Sequence, residues 1–275
     1  MTLPLPQLDA LPLGAHRALW VLSDERLFAQ TGVRIAFTNR EGGVSVGPYA
    51  SLNCGAYVED DPHAVARNRQ IVLDALGASE VPLIVPNQVH GTNVVYVSQG
   101  NDEEAQREAA EGADALVVTA SEVAALFLFA DCLPLIVVAP SGAFAVGHAG
   151  WRGAVAHIAS KTAFELAART GEDAAQFNAY IGPHIRSECF EAGAEVVERF
   201  VTEFNASVVE GERHVSLARA VACDLVAAGL LLERIADCGM CTKCNSDLYF
   251  SYRATQGRCG RHSAVVVRSS SNCSA

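Results

Sequence analysis

Residues 124–155 read AALFLFADCLPLIVVAPSGAFAVGHAGWRGAV. The runs 124–129, 133–139 and 144–147 are short, apolar, β-prone and bounded by turn residues, so each predicts a buried strand. The third run passes through HAGWRG into a helix expected over 154–169. Strand, glycine-rich turn and helix in succession point to an α/β or α+β fold.

Working outward, the same alternation continues. Val33 to Thr38 predicts a strand that enters NREGGVSVGPYASLNCG, a polar, irregular loop. Residues 62–76 predict a helix, with Asp60 or Asp61 as cap, Pro62 in the first turn and Gly77 as the stop. Strands are expected at 81–85, 93–97, 115–118, 178–181, 248–252 and 264–267, and helices at 191–204 and 217–228. Residues 1–30 read as a loose N-terminal segment with several prolines, and 101–112 as an acidic, solvated stretch. No repeat or linker divides the remainder, so 31–275 is expected to form one catalytic domain.

The chain has 275 residues, half of them hydrophobic and 19% charged, with a net charge of −11. That composition allows a substantial core and argues against nucleic acid as a partner. No positive start followed by an apolar run is visible, and no apolar stretch reaches the ~20 residues of a spanning helix. The expectation is a cytoplasmic enzyme without a membrane partner. The nine cysteines then read as reduced thiols, ligands or core fillers.

Three potential metal ligands lie at or just past the ends of apolar runs: His90 in NQVHG, Cys132 in ADCLP and His148 in GHAGWRG. Two imidazoles and a thiolate suit zinc and leave a coordination position open, as in catalytic sites. Asp131 is an acid in an apolar segment, which calls for a partner. Another reading makes Cys132 a nucleophile, with His148 or His90 as base and Asp131 as orienter. Arg40 and Arg253 lie in polar loops and suit phosphate, as does Arg152 at the start of a helix. Arg258 and Arg261 read as solvated charges. Gln88 and His184, in IGPHI, sit close to strand ends. Cys238, Cys241 and Cys244 form C-x2-C-x2-C without the second pair of a zinc ribbon.

The segments TNREGGVSVGPYASLN, NQVHG, ADALVV, ADCLPLIVV, AVGHAGWRG, IGPHI, and CT followed by DLYFSYR and GR resemble the YfiH-like proteins. These are also called polyphenol oxidase or laccase-domain proteins and purine nucleoside phosphorylases. The resemblance runs from about Thr38 to Val267. It implies a layered α/β sandwich related to a toxin's cysteine-hydrolase domain, with His90, Cys132 and His148 binding zinc, or copper under the laccase name. It also implies phosphorolysis of adenosine, inosine, guanosine and methylthioadenosine, with adenosine deamination attributed to the same family.

Eight scattered histidines without an H-x-H pair argue against a multicopper oxidase. The expected roles are phosphate binding by Arg40 and Arg152, further substrate contacts from Gln88, His184 and Arg253, and protonation or hydrogen bonding of the base by Asp131. The alternatives are a copper-dependent polyphenol oxidase, a Cys132 hydrolase acting on peptidoglycan precursors, and a metal-binding scaffold with little catalysis. A monomer or homodimer is expected. Cys241 matches the family's CT motif, whereas Cys238 and Cys244 have no counterpart there, so the triplet reads as local thiol enrichment.

Overall fold

The apolar runs form strands whose side chains alternate between two faces, and both faces are covered. The computed structural model describes residues 2–14 and 19–269. In chain order the strands are β1 (Asp9–Leu13), β2 (Leu19–Ser23), β3 (Val33–Thr38), β4 (Leu83–Ile84), β5 (Val94–Val97), β6 (Ala115–Val118), β7 (Ala124–Phe129), β8 (Leu133–Val138), β9 (Phe144–Ala149), β10 (Asn178–Ile181), β11 (Val209–Glu210), β12 (His214–Val215), β13 (Ile235–Asp237) and β14 (His262–Arg268). The helices are α1 (Glu25–Thr31), α2 (Pro62–Leu76), α3 (Asp102–Gly112), α4 (Trp151–Val155), α5 (Ile158–Thr170), α6 (Ala194–Phe204) and α7 (Leu217–Ala227).

One six-stranded sheet has the order β1-β2-β3-β14-β7-β4, and the other β13-β10-β8-β9-β6-β5. Both are mixed: β4 runs parallel to β7, and β5 parallel to β6. Ala125, Phe127 and Phe129 of β7 face Ile136, Val138, Phe144 and Val146 of the second sheet across a shared core. The alternate residues Ala124 and Leu126 pack with Ile71 and Val72 of α2. Leu133, Leu135 and Val137 of β8 face the layer containing α5, α6 and α7. The molecule is a sandwich of mixed sheets flanked by helices, as expected, and the two-sided burial explains why these strands read as continuous apolar runs.

The helix at Pro62–Leu76 has the expected ends. Asp61 accepts from the His63 N–H, and Gly77 adopts the left-handed conformation at φ 71° and closes the last turn onto Asp74 and Leu73.

Four expectations need correction. Residues 1–30 are not loose over their described part: β1 and β2 form an antiparallel pair on the first sheet, and Leu22 and Leu27 enter the core. Pro12 is tolerated because β1 is an edge strand. The acidic stretch is α3, with Ala105 and Ala109 buried one turn apart. The helix expected over 154–169 is α4 and α5, separated at His157, whose φ of 59° breaks the helical path. Residues 248–252 are not a strand; buried Tyr249 and Phe250 anchor a loop instead. Cys273, within the expected domain 31–275, lies outside the described residues.

Candidate metal centre

The turn Ala130–Cys132 carries the chain from β7 in one sheet to β8 in the other. Asp131 makes that turn at φ 93°, a region tolerated better by Asp than by most side chains. Its Oδ1 accepts from the Thr242 hydroxyl at 2.6 Å and its Oδ2 from the Arg253 backbone N–H at 2.6 Å. Both oxygens are thus committed to fixing the turn that presents Cys132.

His90 lies between β4 and β5 at φ 59°, and His148 is on β9, 3% exposed. The His90 and His148 ring centroids are 4.8 Å apart. His90, Cys132 and His148 each offer one ligand atom, all within 4.8 Å of one another. Gly150 permits the approach: an added Cβ would meet His90 Nδ1 at 2.7 Å and Cys132 Sγ at 3.2 Å.

Asp114, which the sequence reading did not select, joins two of the three ligands. Its Oδ1 accepts from the His90 N–H at 3.0 Å and pairs with His148 Nδ1 at 2.7 Å. Its Oδ2 accepts from the N–H groups of Val89 and Gly91 at 3.2 and 2.6 Å. The carboxylate therefore holds the 89–91 loop and leaves His148 Nε2 as the ligand atom, the arrangement in which a carboxylate orients a metal-binding imidazole. The signal for it was present: an acid at the head of the apolar run ALVV, the same feature that drew attention to Asp131.

Burial disfavours the charged form of Asp114, but the hydrogen bond and charge of His148 and the amides of Gly91 and Val89 outweigh it and hold the carboxyl below its ordinary range. Burial likewise pushes the Cys132 thiol up, while the charge and hydrogen bond of His148 and the hydrogen bond of His90 bring it down to about 6. Burial lowers His148, but Cys132 and Asp114 raise it to about 9. The two shifts share one cause, the contact of each group with the other, and it favours the thiolate–imidazolium form of the pair over the neutral one. Two imidazoles and a ready thiolate fit zinc, and copper as well.

The triad lies on the wall of a cleft of ≈ 480 Å³, within the size range of small-molecule sites. Tyr57, Trp151, Phe190 and Tyr252 supply aromatic surface, and Arg152, Arg253 and Arg261 supply positive charge. The Arg152 guanidinium lies 4.3 Å from the Trp151 ring centroid. Arg253 stacks more loosely on Phe190, at 5.8 Å. Arg261, read from sequence as a solvated charge, lines the cleft and donates to the carbonyls of Cys259 and Gly260.

Several expected contacts are placed elsewhere. Arg40 does not line the cleft. Its Nε donates to the Ala50 carbonyl and its Nη1 to the Ser246 carbonyl, both at 2.8 Å, so it ties two loops together. His184 is fully buried with Nδ1 on the Gly182 carbonyl, and burial pushes its pKa down. It does not reach the cleft. Gln88 lines the cleft, but its amide exchanges both of its hydrogen bonds with the Leu128 backbone, at 2.9 and 2.8 Å. It fastens the His90 loop to β7.

The chain is similar to known proteins along most of its length. The chain is 32% identical over 256 residues to a purine nucleoside phosphorylase of Bacteroides thetaiotaomicron, covering 88% of this chain and 93% of the relative. It is 34% identical over 245 residues to adenosine deaminase RL5 of an unknown prokaryotic organism, covering 85% and 93%. The crystal structure of YlmD from Geobacillus stearothermophilus superposes with a TM-score of 0.82 at 28% identity, covering 95% of this chain and 100% of that one. Residues 34–269 match the family model described as multi-copper polyphenol oxidoreductase laccase, and the chain belongs to that family.

Proposed function

We propose that this chain is a zinc-dependent purine nucleoside phosphorylase of the cytoplasm. It would cleave adenosine, inosine, guanosine and methylthioadenosine with phosphate to the base and ribose 1-phosphate. The observation that carries the reading is one cleft that combines the His90–Cys132–His148 donor set, aromatic surface and three guanidinium groups. The similarity to a named purine nucleoside phosphorylase supports the substrate class, and the similarity to a named adenosine deaminase supports deamination as a second activity.

His90, Cys132 and His148 would hold the ion, whose chemistry is Lewis-acid stabilisation of developing negative charge. Arg152, Arg253 and Arg261 would bind and orient phosphate, with Arg geometry suited to its oxygens. Trp151, Tyr57 and Phe190 would pack against the purine. Asp131 lines the cleft, but its oxygens already accept from Thr242 and Arg253, which favours a structural part over protonation of the departing base. It acts as a positioning residue for Cys132. Arg40 is withdrawn from the phosphate site on the same kind of evidence.

The donor set supports mononuclear chemistry over a multicopper oxidase. Among the described residues, only one group of potential metal ligands contains histidine, and it contains two.

A second reading is favoured by one observation: Cys132, His148 and Asp114 also form a thiol–imidazole–carboxylate series of the kind that activates a nucleophile. The orienting acid in that reading is Asp114 rather than Asp131. Release of hypoxanthine from inosine, with and without phosphate, separates the two when paired with metal analysis of wild type and Cys132→Ala. The phosphorylase reading expects about one ion at this centre, with phosphate-dependent release lost together with the ion in the variant. Hydrolysis that persists after chelation and needs no phosphate would establish the thiol nucleophile instead.

A further inference from the structure

A second set of sulfurs lies outside the cleft chemistry. Cys189, Cys241 and Cys244 place their Sγ atoms within 4.8 Å of one another, and Cys189 Sγ is 3.4 Å from Cys244 Sγ. The spacing in sequence suggested a different trio, with Cys238. That side chain packs instead against the core between the sheets, and Cys189 joins from the loop after β10.

The three thiols belong to two loops that already meet through the backbone. His184 bridges to Cys241, the Thr242 N–H donates to the His184 carbonyl, and the Arg186 N–H points at Cys241 Sγ at 3.5 Å. Cys241 is buried, Cys189 half-buried and Cys244 exposed, so the cluster is anchored at one end and open to solvent at the other.

The distances distinguish the chemistries available. A disulfide needs sulfurs about 2.05 Å apart, well short of the observed contact. Zinc–thiolate bonds of about 2.3 Å place tetrahedral sulfurs about 3.8 Å from each other, inside the observed range. We propose that Cys189, Cys241 and Cys244 form a second metal site that takes a soft, thiolate-preferring cation, zinc(II) or copper(I), with any further position filled from solvent.

Loading exchanges thiol protons for the ion and involves no change of oxidation state. Without the ion, burial, followed by the neighbouring sulfurs, raises the Cys189 thiol above its ordinary range.

The ion would brace one side of the cleft. Phe190 follows Cys189 and lines the cleft. Thr242 follows Cys241 and holds Asp131, which sets the turn bearing Cys132. The site is independent of which reaction the cleft performs.

The test uses the reduced full chain, stripped with a chelator under anaerobic conditions, then offered zinc(II) or copper(I) and freed of excess. Metal content is measured for wild type, Cys132→Ala, and Cys132→Ala combined with Cys189→Ser. The expected contents are about two, one and no ions per chain. Because the double variant could fail to fold, alkylation of Cys189 and Cys244 is also mapped by mass spectrometry in Cys132→Ala, where the cluster is unaltered. The bound ion is expected to protect both. Uptake of only one of the two cations identifies the ion and supports the site. A Cys132→Ala protein that binds neither, with Cys189 and Cys244 alkylated equally fast with and without metal, overturns the proposal.

Discussion

Replacing Asp114 with Asn removes one charge while keeping nearly the same shape, and it tests how the metal centre is organised. The carboxylate accepts four hydrogen bonds, two on each oxygen: His148 Nδ1 and the His90 N–H on Oδ1, and the Val89 and Gly91 N–H groups on Oδ2. An amide has one acceptor oxygen, so in either orientation its NH2 group faces a pair of donors. If the oxygen serves Val89 and Gly91, the NH2 group meets His148 Nδ1. The imidazole can then accept that bond only by moving its proton to Nε2, the atom needed by a metal. If the oxygen serves His148, two loop amides lose their acceptor. These amides are part-buried, so each unpaired donor costs less than the about 1–3 kcal/mol of a fully buried one, and loss of such an orienting partner lowers metal affinity by about 10–100-fold. Competition titration with a zinc-sensitive chelator measures the affinity, and denaturant unfolding of the metal-free protein measures the stability. Zinc affinity within about twofold of wild type, where the orienting role requires at least tenfold, would refute the claim that Asp114 sets the His148 tautomer.

Gly150→Ala is compatible with the backbone there, at φ −66° and ψ 166°, but its Cβ would meet His90 and Cys132; metal affinity is expected to fall sharply while the circular-dichroism spectrum is retained. Arg40→Ala should cost about 2 kcal/mol in urea unfolding, because two carbonyls lose their donor, and should leave the KM for phosphate unchanged, whereas Arg152→Ala should raise it. His157 joins α5 to α6 and α7 through Glu203 and Asp224. Burial lowers its pKa, but the hydrogen bond to Asp224, followed by that to Glu203, outweighs burial and raises it overall. Its raised folded pKa makes this contribution complete below the unfolded value of about 6.5 and lost as pH rises through the folded value. The difference in Tm between wild type and His157→Asn, which also tolerates the left-handed backbone, should therefore be largest near pH 5.5 and shrink on the alkaline side; a constant difference would contradict the ion-pair account.

The sequence was most readable where the determinants of a structure lie close together along the chain. The helix Pro62–Leu76 carries its own cap, stop and apolar face, and the run from Ala124 to Ala149 carries its own turn residues. The metal donors could be selected because each is a ligand type at the end of an apolar run. What escaped depends on partners far away in the chain. Asp114 gains its importance only when the 89–91 loop and β9 close around it. Arg40 and Arg261 are both arginines in polar loops, and only the fold sends one to loop carbonyls and the other to the cleft. Cys238 and Cys189 exchanged places in the thiol cluster because spacing within a loop does not fix the direction of a side chain. The β1 strand was hidden by its proline, and the break between α4 and α5 rests on one left-handed residue that hydrophobic periodicity does not register.

The position of β14 has a consequence for synthesis. It lies between β3 and β7, paired to both, yet it emerges from the ribosome after every other strand described. Until then the first sheet exists as two separate pieces, β1-β2-β3 and β7-β4, each ending in an unpaired edge beside large apolar side chains such as Phe37 and Phe127. The second sheet needs nothing beyond β13 and can close earlier. A nascent chain halted before His262 therefore exposes two strand edges of the kind that recruit other chains. Such a product is a natural substrate for chaperones and proteases, and completion of the first sheet waits for β14.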